Sequence, residues 1–487
     1  MRLLLGVVIA VLLTLSYAID SKAQSQTDKN TAETQTVAQA TKKQGDQIEQ
    51  LKKQLEEIQR QNQQQIQDLQ QQIKDLGVQR KSFEEKVEEV QSKDSWWNKV
   101  EVSYKKPGDG FTIRTKDGNF SLNMRLRAQF QFSVNDTTDE LTATDFRIRR
   151  LRFYWIGNAF RPWFEYYIQV SADNSFSGSN TYSDLQLRDA YFNAAYKKEA
   201  VPRVGQFKVP FNREELNSSS ELQLVERSIV NEQFSLGRDI GPALYGLLGN
   251  YVTYGVGIFD GNGRNAASLD SNLLYVGRIM LTPCCGELKY ANSSFPIGGD
   301  YKIEPNFGED KPLIAFGVAA AGMEGLNTAI KTPDAVLVDR FKQIGFPDGE
   351  GIADLVQFTA DVNFKYKIFS IEGEYDARWI SPDANQGVST DKVFDQGFRI
   401  QSGVFLIPKL VEVAARFSYI DFDASAPNIQ GVDEPDNSWQ ITPGLNFYMS
   451  HSHKWKIQLD YSFIKNEFTN ADDIDENIFR AQLQAYF

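Results

Sequence analysis

Leu122, Met124, Leu126, Ala128, Phe130 and Phe132 share one parity of the chain, and Asn123, Arg125, Arg127, Gln129 and Gln131 share the other. A period of two marks a strand with one apolar and one polar face. The pattern returns in three further places. Val356, Phe358, Ala360, Val362, Phe364 and Tyr366 alternate with polar residues, as do Phe369, Ile371, Gly373, Tyr375, Ala377 and Trp379, and Trp455, Ile457, Leu459, Tyr461 and Phe463. Strands this long, with Arg, Glu, Gln and Asp on the second face, suit a barrel that crosses a bilayer, its apolar face toward lipid and its charged face toward a water-filled lumen. A soluble sandwich would use shorter strands and turn its polar faces to solvent.

The expected fold is all-β: a 16-stranded antiparallel transmembrane β-barrel over 120–487, preceded by an N-terminal α-helical coiled coil. Strands are expected near 120–132, 146–157, 162–172, 184–196, 202–208, 243–248, 251–259, 273–281, 313–320, 355–366, 368–380, 396–406, 410–421, 437–449, 454–465 and 476–487. Connections between them alternate long and short, which is the one-sided loop asymmetry of outer-membrane barrels. One turn breaks the rule: 282–312 is long on the short side, and it holds Cys284-Cys285. The last strand closes on Phe487, which resembles the terminal signal of Gram-negative outer-membrane proteins.

The N-terminal part reads differently. Arg2, an apolar run from Leu3 to Leu15 and the small residues around Ser21-Lys22-Ala23 give a secretory signal peptide over 1–23. Residues 24–45 read as a disordered linker. The seam Ile48, Leu51, Leu55, Ile58, then Ile66, Leu69, Ile73, Leu76, marks a periplasmic coiled coil over 46–95, with a stutter between Ile58 and Ile66. Residues 96–119 read as a connector that opens on Trp96-Trp97 and holds a short extended piece.

Composition limits the chemistry. The net charge of −12 argues against a nucleic-acid partner. Two His, at 451 and 453 in a predicted turn, are poor material for a metal site or a catalytic triad. Neither a cofactor nor an enzymatic activity is expected. Charge is also uneven: 100–210 carries 16 basic against 12 acidic residues, and 211–487 carries 22 against 38.

Arg147, Arg149, Arg150 and Arg152 crowd one strand. Phe146 and Ile148 sit on one parity, Leu151, Phe153 and Trp155 on the other, so a β-bulge is expected at Arg149-Arg150. Arg on the lipid side costs about 2–4 kcal/mol at mid-membrane, so these side chains should face the lumen. With Arg125, Arg127, Arg188 and Arg203 on neighbouring strands they form a candidate basic wall.

Phe146–Arg152, Leu187-Arg188-Asp189-Ala190-Tyr191, Val204–Phe211 and Glu226-Arg227-Ser228 resemble the phosphate-selective porin O and P family. The resemblance implies a trimeric sixteen-stranded porin with an arginine-rich wall and a third loop folded into the lumen, here 209–242. In phosphate-specific members lysines on this loop bind the anion; here Ser218-Ser219-Ser220 is followed by Glu221. The candidate constriction residues are Arg213, Glu214, Glu215, Glu221, Glu226, Arg227 and Arg238, with Glu232 and Asp239 adding to a net acidic loop. Such a loop would repel phosphate, which favours a general porin with Arg on one wall and Glu and Asp on the other.

The expected function is passive diffusion of small hydrophilic solutes and ions through a charged, water-filled lumen, with a preference for anions or phosphate left open. The expected location is the outer membrane of a Gram-negative-type bacterium, with lipid around the barrel and a homotrimer as the assembly. A cell-wall component such as peptidoglycan is an expected partner of the coiled coil. The second reading is a barrel-anchored tether or surface receptor that links the outer membrane to the wall.

Overall fold

The computed structural model describes residues 33–92, 99–104, 108–138, 142–172, 185–266, 271–283, 304–307, 311–327, 351–383, 392–423, 435–469 and 471–487. The expected leader 1–23, residues 24–32 of the expected linker, Trp96-Trp97 and Cys284-Cys285 lie outside the described residues. The chain divides into two compact units, Met1–Ser95 and Trp96–Phe487.

The first unit holds one helix, α1 (Glu33–Ser92). It starts ahead of the expected coiled coil, and residues 33–45, expected as disordered linker, are its first turns. Glu, Gln, Ala and Lys dominate that stretch and no Pro interrupts it, so helix propensity suffices where no apolar seam exists. Leu51, Leu55, Ile66, Leu69 and Ile73 are all exposed on it.

The second unit begins with a hairpin, β1 (Val100–Tyr104) and β2 (Phe111–Thr115). The sixteen barrel strands follow. The first eight are β3 (Ser121–Thr137), β4 (Ala143–Asn158), β5 (Phe164–Ser171), β6 (Gln186–Ala194), β7 (Val201–Lys208), β8 (Arg238–Leu248), β9 (Val252–Phe259) and β10 (Leu274–Leu281). The second eight are β11 (Leu313–Asn327), β12 (Ile352–Tyr366), β13 (Phe369–Pro382), β14 (Val393–Ile407), β15 (Val411–Asp421), β16 (Asn437–Phe447), β17 (Trp455–Glu467) and β18 (Ile474–Tyr486). Each pairs antiparallel with the next, and β18 returns to β3 through pairs such as Gln484↔Gln129, which closes the barrel. Strand β2 continues the same edge of β3 beyond the end of β18, with Arg114 opposite Ser121.

The alternation produces an inside-out burial pattern. On β12, Val356, Phe358 and Val362 are exposed, whereas Gln357, Thr359, Asp361, Asn363 and Lys365 are buried. Apolar side chains face outward because lipid is their solvent; polar ones face inward, where partners or water can satisfy them.

Two features differ from the pattern reading. Strand β8 starts at Arg238, so the third loop spans 209–237, and Arg238 and Asp239 belong to a strand. Gly241 and Pro242 mask the start of that strand, although both pair with β7. Strand β1 carries no long alternation and was not anticipated. The expected bulge is present: Gln129 pairs with Arg150 and Phe130 with Ile148, which leaves Arg149 as the extra residue.

Candidate functional site

The bulge explains how two adjacent arginines work on one side. In a regular strand Arg149 and Arg150 would point to opposite faces. Here Arg149 Nε lies 2.5 Å from Glu226 Oε1, and Arg150 Nη2 lies 2.7 Å from Glu226 Oε2. Burial pushes the Glu226 carboxyl up, but Arg149 and Arg150 outweigh it and hold it well below the usual carboxylate range.

Glu226 sits on the infolded loop, which carries two short helices, α2 (Arg213–Leu216) and α3 (Ile229–Phe234). Ser228 caps α3 by accepting from the Asn231 N–H at 3.0 Å. The loop is pinned across the barrel to β13–β17. Arg213 Nε is 3.1 Å from Glu372, and its backbone N–H donates to Glu374 at 2.5 Å. Glu214 pairs with Arg399 at 3.0 Å and with Arg416 at 3.3 Å. The Val225 N–H donates to Asp460 at 2.8 Å, and Lys456 donates to the Leu222 carbonyl at 2.8 Å.

On the other flank Glu215 is held by Arg227 at 3.3 Å, Lys208 at 3.5 Å and Arg238 at 3.7 Å. Burial raises its carboxyl, yet the three cations together lower it to about 2. Glu214, Glu215 and Glu226 therefore all sit in ion pairs. Their partners are strand cations and, for Glu215, also Arg227 of the loop itself.

Between the loop and β3–β5 lies a cavity of about 290 Å³. Ser218, Ser219, Ser220 and Glu221 form its loop side, and Tyr154, Tyr167 and Gln169 belong to its strand side. Its cations are Arg125, Arg152, Lys208, Arg238 and Lys454, against the carboxylates of Asp109 and Glu221. Asp109 is itself paired with Lys454 at 2.5 Å. Arg125 has no carboxylate partner among the described residues; its Nε donates to Asn123 Oδ1 at 2.5 Å. Behind the cavity wall the fully buried Arg127 donates to Ser219 at 3.0 Å and to Ser218 at 3.4 Å, while Arg152 donates to Ser219 at 3.3 Å. Ser218 and Ser219 are thus held by arginines of β3 and β4, and the Ser220 hydroxyl by that of Ser218 at 2.8 Å.

The remaining basic-wall candidates are placed apart from this cavity. Arg147 stays half-buried beside Gln131 and Asp145. Arg188 is the extra residue of a second bulge, where Gln169 pairs with Asp189 and Val170 with Leu187. Arg203 is buried among aromatic rings, 4.0 Å over Tyr191 and 4.5 Å over Tyr245, so it serves packing rather than an open wall. His453 lines the cavity and is held well below its usual value by burial and by Lys456 and Lys365. Among the described residues no group of three His, Cys, Asp or Glu could hold a metal.

Sequence reading missed the far-wall partners. Arg399, Arg416, Glu372 and Glu374 were legible only as polar-face residues of their strands, and Lys208 only as part of the Val204–Phe211 motif, with no site role. Glu304, from the exceptional 282–312 connection, was not singled out. It accepts from the Gln223 N–H at 2.6 Å and from Gln401 Nε2 at 2.7 Å.

A closed sixteen-stranded barrel with a charged lumen and an infolded third loop defines the class of fold: that of the porins. The sequence resemblance is borne out over residues 120–290, which match the family described as Phosphate-selective porin O and P. No curated protein matches the chain in sequence. Among solved structures, the anion-selective porin from Comamonas acidovorans superposes with TM-score 0.50 at 10% identity, covering 76% of this chain and all (100%) of that one. The outer membrane channel DcaP of Acinetobacter baumannii gives 0.48 at 10% identity over 77% of this chain and 99% of its own. Pseudomonas putida OprB gives 0.47 at 10% identity over 76% and 95%. The Comamonas likeness supports the fold.

Proposed function

We propose that this protein is a passive outer-membrane channel that prefers small anions and performs no covalent chemistry. The carrying observation is the cavity beside the loop, where Arg125, Arg152, Lys208, Arg238 and Lys454 line one space with Asp109 and Glu221; Lys208 and Arg238 also hold Glu215, Arg238 holds Asp189 and Lys454 holds Asp109, so Arg125 carries the cationic surplus. Three of the loop acids that would oppose an anion, Glu214, Glu215 and Glu226, are tied up in ion pairs. A low-dielectric lumen lined by an excess of one sign concentrates the opposite ion by several kT. Glu221 in the same lining favours broad passage of oxyanions over a dedicated phosphate site. Planar-bilayer recording tests the reading: stepwise openings are expected, and a purified barrel that never conducts would refute it.

The proposed assembly is a homotrimer. Strands β5, β7, β9 and β10 have 8 residues each. Tilted about 40°, such strands rise only ~20 Å, short of an apolar band ~25 Å tall. An apolar hollow of about 900 Å³ lies on this short wall and is lined by exposed Phe192, Val204, Val256 and Tyr275. Packing against neighbouring copies would cover it.

A second role rests on the exposed seam of α1. Leu51, Leu55, Ile66 and Leu69 have the spacing of a self-associating helix and no partner within the described chain. A periplasmic coiled coil built on this seam would also tether the outer membrane to the cell wall.

A further inference from the structure

Every described connection on the short-turn side of the barrel is brief, such as Gly249-Asn250-Tyr251 between β8 and β9. The 282–312 connection is the exception, and its residues Glu304–Phe307 are packed into the lumen. Glu304 and Asn306 are 2% and 3% exposed. The Phe307 ring lies 4.8 Å from Tyr448, 5.1 Å from His453 and 5.5 Å from Phe405. Tyr448 and His453 belong to the turn between β16 and β17, and Phe405 to the end of β14, so this aromatic cluster sits at the short-turn rim. From there the segment reaches the infolded loop, where the Glu304 N–H donates to the Glu221 carbonyl at 3.3 Å. The Glu304 carboxylate then bridges the Gln223 backbone of that loop to Gln401 of β14.

Two segments that enter from opposite ends of the barrel therefore meet and hold one another. Phe307 packs on the lumen side over the short-turn end of β14 and the β16–β17 turn. The cavity beside Ser218–Glu221 adjoins this cluster, since His453 lines the one and belongs to the other.

We infer that Glu304–Phe307 is a second constriction element, a size filter at the periplasmic outlet that is latched to the infolded loop through Glu304. Its substrate-facing consequence is an upper limit on solute cross-section, independent of charge. The inference rests on the channel reading but not on the anion preference, so neutral sugars are the proper probe.

The test compares the full-length protein with Phe307→Ala and with Glu304→Ala/Phe307→Ala, each checked for heat-modifiable migration of a folded barrel. Single-channel conductance is measured in planar bilayers, and uptake of arabinose and raffinose by liposome swelling. Conductance is expected to rise about 1.5–3-fold, as a widened aqueous path requires, and the raffinose-to-arabinose uptake ratio is expected to rise with it. Phe307→Ala, the milder change, carries the test if the double variant does not fold. Wild-type arabinose uptake tests the channel itself, and the variant-to-wild-type ratio tests the filter. Folded variants with unchanged conductance and an unchanged sugar ratio would overturn the inference.

Discussion

Glu214 of the infolded loop and Arg399 of β14 meet at 3.0 Å, with side chains 1% and 0% exposed. Arg416 approaches the same carboxylate at 3.3 Å, and Glu214 also accepts from the Ser228 N–H at 3.0 Å. This pair joins loop to wall across the barrel. Removing one partner of a buried pair costs about 3–5 kcal/mol when the other charge is left uncompensated; without Glu214, Arg399 keeps Glu372 at 2.8 Å, but Arg416 loses its carboxylate. Glu214→Ala should therefore undock the loop while the sheet stays closed. Limited proteolysis of the folded barrel is the check, with new cleavage expected within 213–227 in the variant and none in the wild type.

Arg125 and Arg150 should respond differently to the same substitution. Arg125 lines the cavity without a carboxylate partner, whereas Arg150 is buried against Glu226 and Gln129. One charge about 10 Å from the ion path, at an effective dielectric of about 20, is worth roughly 1–2 kcal/mol. Arg125→Gln should lower the anion-to-cation permeability ratio several-fold. Arg150→Gln should act mainly on loop docking and shift the ratio less. Equal effects on permeability would argue that the cavity is not the path.

Acid should release the loop only late. The Glu215 carboxyl lies at about 2 against an ordinary 4.5, and Glu226 is held well below the same value. Because both folded values lie below the unfolded one, their stabilising contribution is complete above pH 4.5. It is lost as pH falls from there toward 2. Protease protection of the loop should persist at pH 5 and fade between pH 4.5 and 2. Loss of protection already near pH 6 would contradict these pairings.

The stalk makes its own prediction. A peptide covering residues 46–92 should show concentration-dependent helicity and sediment as an oligomer, and Leu55→Lys/Leu69→Lys should abolish both. Deleting 24–95 should spare single-channel conductance. A wild-type peptide that stays monomeric at high concentration would remove the basis for the coiled coil.

The sixteen strands and the Arg149 bulge were legible because lipid and lumen impose opposite demands on alternate residues, so a change of parity is visible in text. Residues 33–45 of α1 were not, because a helix without a seam leaves only weak propensity to read. The Glu214–Arg399 pair could not be read either. It depends on barrel closure bringing the loop against β14, and nothing local to either residue records that distance. The same holds for Glu304, whose connection has no periodicity at all. Reading the loop acids by their own charge gave a repulsive constriction; the cations that pair with Glu214 and Glu226 lie on strands remote in sequence and could not enter that reading.

The reversal potential under a KCl gradient tests the central claim most directly. With the purified full-length protein in a planar bilayer, the sign should report anion preference, and Arg125→Gln should move it toward zero. A wild-type potential of the cation-selective sign, or one that Arg125→Gln leaves in place, would contradict an anion path along the arginine wall.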